Sequence, residues 1–118
     1  MEDDSKYVAM LQEFMLGSAG PIMILDSEKK IKFINTECED LIGIRESASI
    51  DEDLMDVARD EGFAATVIDV CDQSASADGT NQQGEYEIAG AQHNVFATSL
   101  IGKDNFAKAF YISFVREE

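Results

Sequence analysis

The sequence predicts an α+β domain: a five-stranded antiparallel sheet with helices over one face and a further helix at the N-terminus. Three observations carry this expectation. Residues 20–43, GPIMILDSEKKIKFINTECEDLIG, read as strand, turn, strand and helix with no spare residue. A stretch of helical periodicity follows, and the last third alternates in three strand-length runs separated by Gly-containing turns. Two strands, then helices, then three strands assemble as one antiparallel sheet.

The elements follow in order. Over Ser5 to Leu16, Val8, Leu11 and Met15, with Tyr7 and Phe14 beside them, form the apolar stripe of a helix that Gly17 to Gly20 ends. That stripe can pack on its own domain or pair with its twin in a dimer, and the two are compatible. Residues 1–19 are therefore read as helix and link, and 20–118 as the domain proper. Pro21 cannot donate to a sheet ladder and suits the start of a strand, and Ile22 to Leu25 form a short, wholly apolar run. Asp26, Ser27 and Glu28 supply turn chemistry before a second strand carrying Ile31, Phe33 and Ile34. Thr36 with Glu39 reads as a capping box, Cys38, Leu41 and Ile42 share a helical face, and Gly43 stops the helix. After a polar link, Ile44 to Ser49, a second capping box (Ser49, Glu52) opens a helix with Ile50, Leu54, Val57 and Ala58 inward. Gly62 separates it from a helix over Phe63 to Ser74, and Ser74 to Gln83 is a polar loop. Strands follow at Gly84 to Ile88, Gln92 to Leu100 and Phe106 to Val115. The last is apolar on both parities, which marks a central strand covered on both faces.

Composition excludes several functions. The 118 residues suffice for one core. With 24 acidic against 9 basic residues, a formal net charge of -15, the chain repels phosphate backbones and anionic lipid, so neither nucleic acid nor membrane is an expected partner. A halophilic host or a merely solvated acidic face would each account for that charge. No apolar run approaches the roughly 18 residues of a membrane span, and the N-terminus is acidic, so a cytoplasmic protein is expected. Cys38 and Cys71 lack metal or disulfide spacing and read as buried thiols. Asp51 to Asp53 lack calcium-loop spacing, and no metal site is expected.

An apolar strand ending in Asp, a short charged turn, Ile31-Lys32-Phe33-Ile34-Asn35 and a helix closing on Leu41-Ile42-Gly43 resemble the N-terminal half of a PAS domain. The match is closest over Pro21 to Gly43 and extends more loosely to Val115. The resemblance implies a sheet order of 2-1-5-4-3, a long helix at Phe63 to Ser74 closing a cavity, and a homodimer whose interface uses Val8, Leu11 and Met15. It further implies a sensory module in signal transduction, coupled to an output domain such as a histidine kinase or transducer. The alternative is a ligand-free PAS module for dimerisation or interaction.

PAS relatives bind haem, flavin or small metabolites, and the residues narrow that range. The long helix offers no histidine for haem, and Asn35-Thr36-Glu37-Cys38 does not match the Asn-Cys-Arg-Phe motif of flavin-binding light sensors. A small organic ligand remains, of open identity, with Phe33, Asn35, Ile42, Val67, Ile68, Cys71, Val95, Ala97 and Ile112 as candidate liners between sheet and helices; core packing explains each equally well. Catalysis is not expected. His93 lies in a strand with no nucleophile motif nearby, and only Asp26 and Asp69 present themselves as carboxylates for a buried acid.

Overall fold

The computed structural model describes residues 4–15, 20–58 and 60–117, with the Met15 side chain outside the description. Helix α1 (Asp4–Met15) precedes strands β1 (Ile22–Asp26) and β2 (Ile31–Ile34). Helices α2 (Thr36–Ile42), α3 (Glu46–Ser49), α4 (Leu54–Val57) and α5 (Glu61–Ser76) follow, and then β3 (Gln82–Ile88), β4 (Ala91–Ile101) and β5 (Ala107–Arg116). The five strands form one antiparallel sheet in the order β2-β1-β5-β4-β3, the order the resemblance implies.

Alternation along the strands divides the apolar residues between two layers. Met23, Leu25, Ile34, Val95, Ala97, Phe110, Ile112 and Phe114 meet Cys38, Leu54, Phe63, Ala64, Val67, Val70 and Cys71 of the helices on one face. On the other face Ile22, Ile24 and Ala109 pack with Tyr7, Val8 and Leu11 of α1. The final strand is central, as its two apolar parities require, but α1 does not reach its end: Val115 is 51% exposed. Each fully buried aliphatic or aromatic side chain stabilises this arrangement by roughly 1.5–3 kcal/mol before entropy is counted.

Helix starts differ from the sequence reading. Asn35, not Thr36, caps α2; its side chain accepts from the Cys38 N–H at 2.9 Å, and Glu39 instead accepts from the Glu46 N–H at 2.7 Å. Ser49 caps nothing, since its hydroxyl donates to the Arg45 carbonyl at 2.7 Å and closes α3 in the stretch expected to be a polar link. The single helix expected after it is the short turn α4, and Ile50 is 37% exposed rather than inward. Tertiary pairing overrides local propensity here: the Ile31 N–H donates to Glu52 C=O at 2.9 Å and the Asp51 N–H to Ile31 C=O at 2.8 Å, with Lys30 bridged to Asp53. The acidic run thereby covers the β2 edge, which would otherwise present unpaired backbone. Gly62 lies inside the first turn of α5, which Asp60 caps.

Candidate functional site

Between sheet and helices the apolar side chains form one buried cluster. Of the candidate liners, Val67, Cys71, Val95, Ala97 and Ile112 are each 0% exposed within the helix-side core, and Ile68 packs at its margin. Burial pushes both thiols, Cys38 and Cys71, up to about 12, so they are neutral packing groups. Phe33 belongs elsewhere: Ile34 takes the helix-facing side of β2, so Phe33 faces the opposite layer and packs with the α1 cluster. Asn35 is a structural clip. Its Oδ1 accepts from the Ile22 N–H at 3.0 Å as well as from Cys38, and its Nδ2 donates to the Gly20 C=O at 2.8 Å.

Ile42 is the candidate that does reach open space. With Leu41, Ile44, Ala58, Asp60, Phe63, Tyr86, Glu87, Ile88 and Ala89 it lines a cleft of about 160 Å³ at the β3 edge, between the end of α2, the start of α5 and the β3–β4 turn. A cavity of about 150 Å³ admits a benzene-sized molecule, well short of a haem or flavin. One link spans this cleft. The Tyr86 hydroxyl lies 2.7 and 2.8 Å from the two carboxylate oxygens of Asp60, while Asp60 Oδ1 accepts from the Gly62 and Phe63 N–H groups at 2.9 and 3.3 Å. Donation from Tyr86, aided by the two backbone N–H groups, holds the Asp60 carboxyl below the usual range, and the same bond raises the Tyr86 phenol. Gly62 makes the approach sterically feasible: a Cβ there would stand 2.5 Å from the Tyr86 hydroxyl. Phe63 floors the cleft, its ring 6.4 Å from that of Tyr86 at 59°.

Asp60 and Tyr86 were not legible as a pair. Their side chains meet across 26 positions, though an Asp before a helical run and a Tyr on the inward parity of β3 are visible separately.

The remaining residues singled out in the sequence occupy scaffold positions. His93 is buried, with Nδ1 2.8 Å from the Ala91 carbonyl. Asp26 accepts from the Glu28 and Lys30 N–H groups at 2.9 and 3.0 Å within the β1–β2 turn, and Asp69 is exposed, accepting from Gln73 at 2.9 Å. Among the described residues no group of three or more His, Cys, Asp or Glu is placed to hold a metal, and no helix is long and apolar enough to cross a membrane.

Val8 and Leu11 of the expected dimer stripe pack on their own sheet, 7% and 6% exposed, so this surface is occupied within the chain; the Met15 side chain lies outside the described residues. What α1 presents outward is Met10 and Phe14, 51% and 69% exposed. Phe14 stands edge-on to Tyr111, centroids 5.5 Å apart, and with Leu11, Phe96 and Leu100 borders an uncharged groove of about 500 Å³ on the outer sheet face.

No protein-family model and no curated protein sequence matches the chain. Solved structures do. The PAS domain of Bordetella pertussis BvgS superposes with a TM-score of 0.72 at 12% identity, covering 96% of this chain and 88% of that one. A sensory box sensor histidine kinase from Vibrio cholerae gives 0.69 at 10%, covering 97% and 94%. VqmA bound to DPO gives 0.67 at 12%, covering 92% of this chain and 57% of that one. The chain has the PAS fold.

Proposed function

On the premise of a PAS fold, we propose that the chain is a cytoplasmic sensory module that binds a small organic molecule and relays its occupancy to an output domain. The observation that carries this is the edge cleft with its Tyr86–Asp60 link. The cleft is bordered by apolar residues such as Leu41, Ile42 and Ile88 together with the Tyr86–Asp60 pair, and it touches both the start of α5 and the β3 edge. A ligand that favours the open or the closed link shifts the balance between two arrangements of α5 against the sheet, and an attached domain reads that balance. Support from the solved neighbours is of the same kind, since they include a sensor kinase and a receptor with its ligand bound.

The test is mass spectrometry of the purified protein, native against denatured, with an absorption spectrum of the same sample. A reproducible mass difference corresponding to a small molecule, with no visible band, is expected. A visible band would contradict the size of the cleft, and identical masses would move the balance to a second reading.

That second reading is a ligand-free interaction module forming a homodimer, and the uncharged outer groove around Phe14 favours it. Charge at Leu11 would undock α1 from its own sheet, so the discriminating variant is Phe14→Glu. Under this reading it converts a sedimenting dimer to monomer without lowering thermal stability.

A further inference from the structure

We propose that the edge cleft is a binding site for a small organic ammonium ion, held against the Phe63 and Tyr86 rings and the Asp60 and Glu87 carboxylates. The inference deepens the small-molecule reading of this cleft and rests on it. Three features select the ligand class. The Phe63 and Tyr86 rings both border the cleft, centroids 6.4 Å apart at 59°, and an aromatic face attracts a cation and repels an anion. Two acidic residues lie on the walls: Asp60, fixed by the Tyr86 hydroxyl and the α5 N–H groups, and Glu87 at the rim, whose charge acts on the Tyr86 phenol. Among the described residues lining the cleft none is basic, in a chain of net charge -15 whose field concentrates cations. The remaining walls, Ile42 and Ile88 among them, are apolar, and the volume of about 160 Å³ suits a compact alkylated ammonium rather than a polyamine.

Among the described residues, opposing charge at the cleft is limited to the start of α5. The positive end of α5 points at the same place, but the Asp60 cap neutralises it. Arg59, between Ala58 and Asp60 in the sequence, lies outside the described residues, and the experiment addresses it directly.

The probes are choline and its neutral isostere 3,3-dimethylbutan-1-ol, each titrated into the protein labelled with nitrogen-15 at millimolar concentration. Choline is expected to shift the amides of Gly62, Phe63, Tyr86 and Ala89 saturably, and the isostere to bind at least tenfold more weakly, about 1.4 kcal/mol. Glu87→Gln and Asp60→Asn should each weaken choline severalfold; asparagine retains the cap, so folding is preserved. Tyr86→Leu should abolish the shifts, with thermal melting as the check on folding. Equal or tighter binding of the isostere at the same amides overturns the cation while leaving the small-molecule reading intact. Shifts indifferent to both charge-removing variants show counterion association and overturn the site. Choline binding that appears only in Arg59→Gln means that the chain's own arginine is the resident cation, which also overturns the proposal. If neither probe moves these amides the ammonium site is refuted, and the native mass of the protein then decides separately whether the cleft binds anything.

Discussion

At the residue scale, Asn35 and Tyr86 each join elements through side-chain hydrogen bonds to residues distant in sequence. Asn35 uses both ends of its amide, joining the start of β1 to the start of α2. Replacing it with Ala removes a helix cap and leaves a half-buried β1 N–H without its acceptor, so Asn35→Ala should cost about 2–3 kcal/mol, measured as a shift of the urea midpoint at constant slope. Asn35 was visible in the sequence as the residue where strand gives way to helix, yet its neighbour Thr36 was assigned the cap because a Glu follows at the capping-box distance. The β1 N–H waiting beside Asn35 decided otherwise, and a local motif contains no trace of it. The second residue is Tyr86. Its bond to Asp60 lowers the acid and raises the phenol. With the folded Asp60 below its unfolded value, the link's contribution is present above the unfolded carboxylate range and is lost as pH falls through the folded pKa. With the folded Tyr86 above its unfolded value, the contribution is present below about 10 and lost as pH rises through the folded pKa. Titration of Tyr86 by its ultraviolet difference band should therefore end above the ordinary phenol range, and Asp60→Asn should return it toward that range.

At the scale of elements, close approach sets α5 against β3. A Cβ on Gly84 would stand 2.7 Å from Val70 Cγ2, so the strand is glycine where the helix crosses it. Gly84→Ala must push the helix outward or the valine off its rotamer, and about 1–3 kcal/mol of destabilisation is expected from thermal melting. The turn that follows shows the opposite economy. Ile88 pairs with Ala91, leaving Ala89 and Gly90 as a two-residue loop with φ of 52° and 80°. Positive φ at both positions is the I′ combination, for which Asn-Gly is the favoured sequence, and an alanine there is strained. Ala89→Asn should thus stabilise the protein by up to about 1 kcal/mol. Ala89 also lines the cleft, and the small side chain keeps its rim open. Strands were the most legible elements because alternation is local and long: Val95, Ala97 and the two parities of β5 lie where the sequence places them. The short helices were the least legible. Residues 46–58 follow the β2 edge that they cover, and that edge lies about twenty positions earlier.

For the whole molecule, the two faces of the sheet explain which functional residues could be read in advance. Periodicity identifies what is buried, and a buried apolar position looks the same whether it lines a ligand cavity or fills one. Val67, Cys71 and Ile112 were legible as inward residues, and all three are buried in the helix-side core. The cleft instead opens where α2, α5 and β3 fail to meet, a place that depends on the assembled elements. Charge behaves differently, because it is fixed by composition and acts over the entire surface. The excess of 24 acidic over 9 basic residues remains after folding, because pairs such as Lys29–Asp72 at 3.1 Å and Lys30–Glu28 at 3.5 Å use one charge of each sign and leave the difference unchanged. Folding concentrates this charge into a body with a radius of gyration of 13.1 Å, within about two Debye lengths at physiological salt, where the Debye length is about 8 Å. Unfolding relieves the repulsion, so screening favours the native state. Melting temperature should consequently rise as potassium chloride is added from low concentration, whatever the host. A rise that saturates near 0.15 M, about where the Debye length reaches 8 Å, would indicate simple screening of a solvated acidic face. A rise that continues far beyond that point would indicate ion uptake by the acidic surface, the behaviour expected of a protein adapted to strong salt.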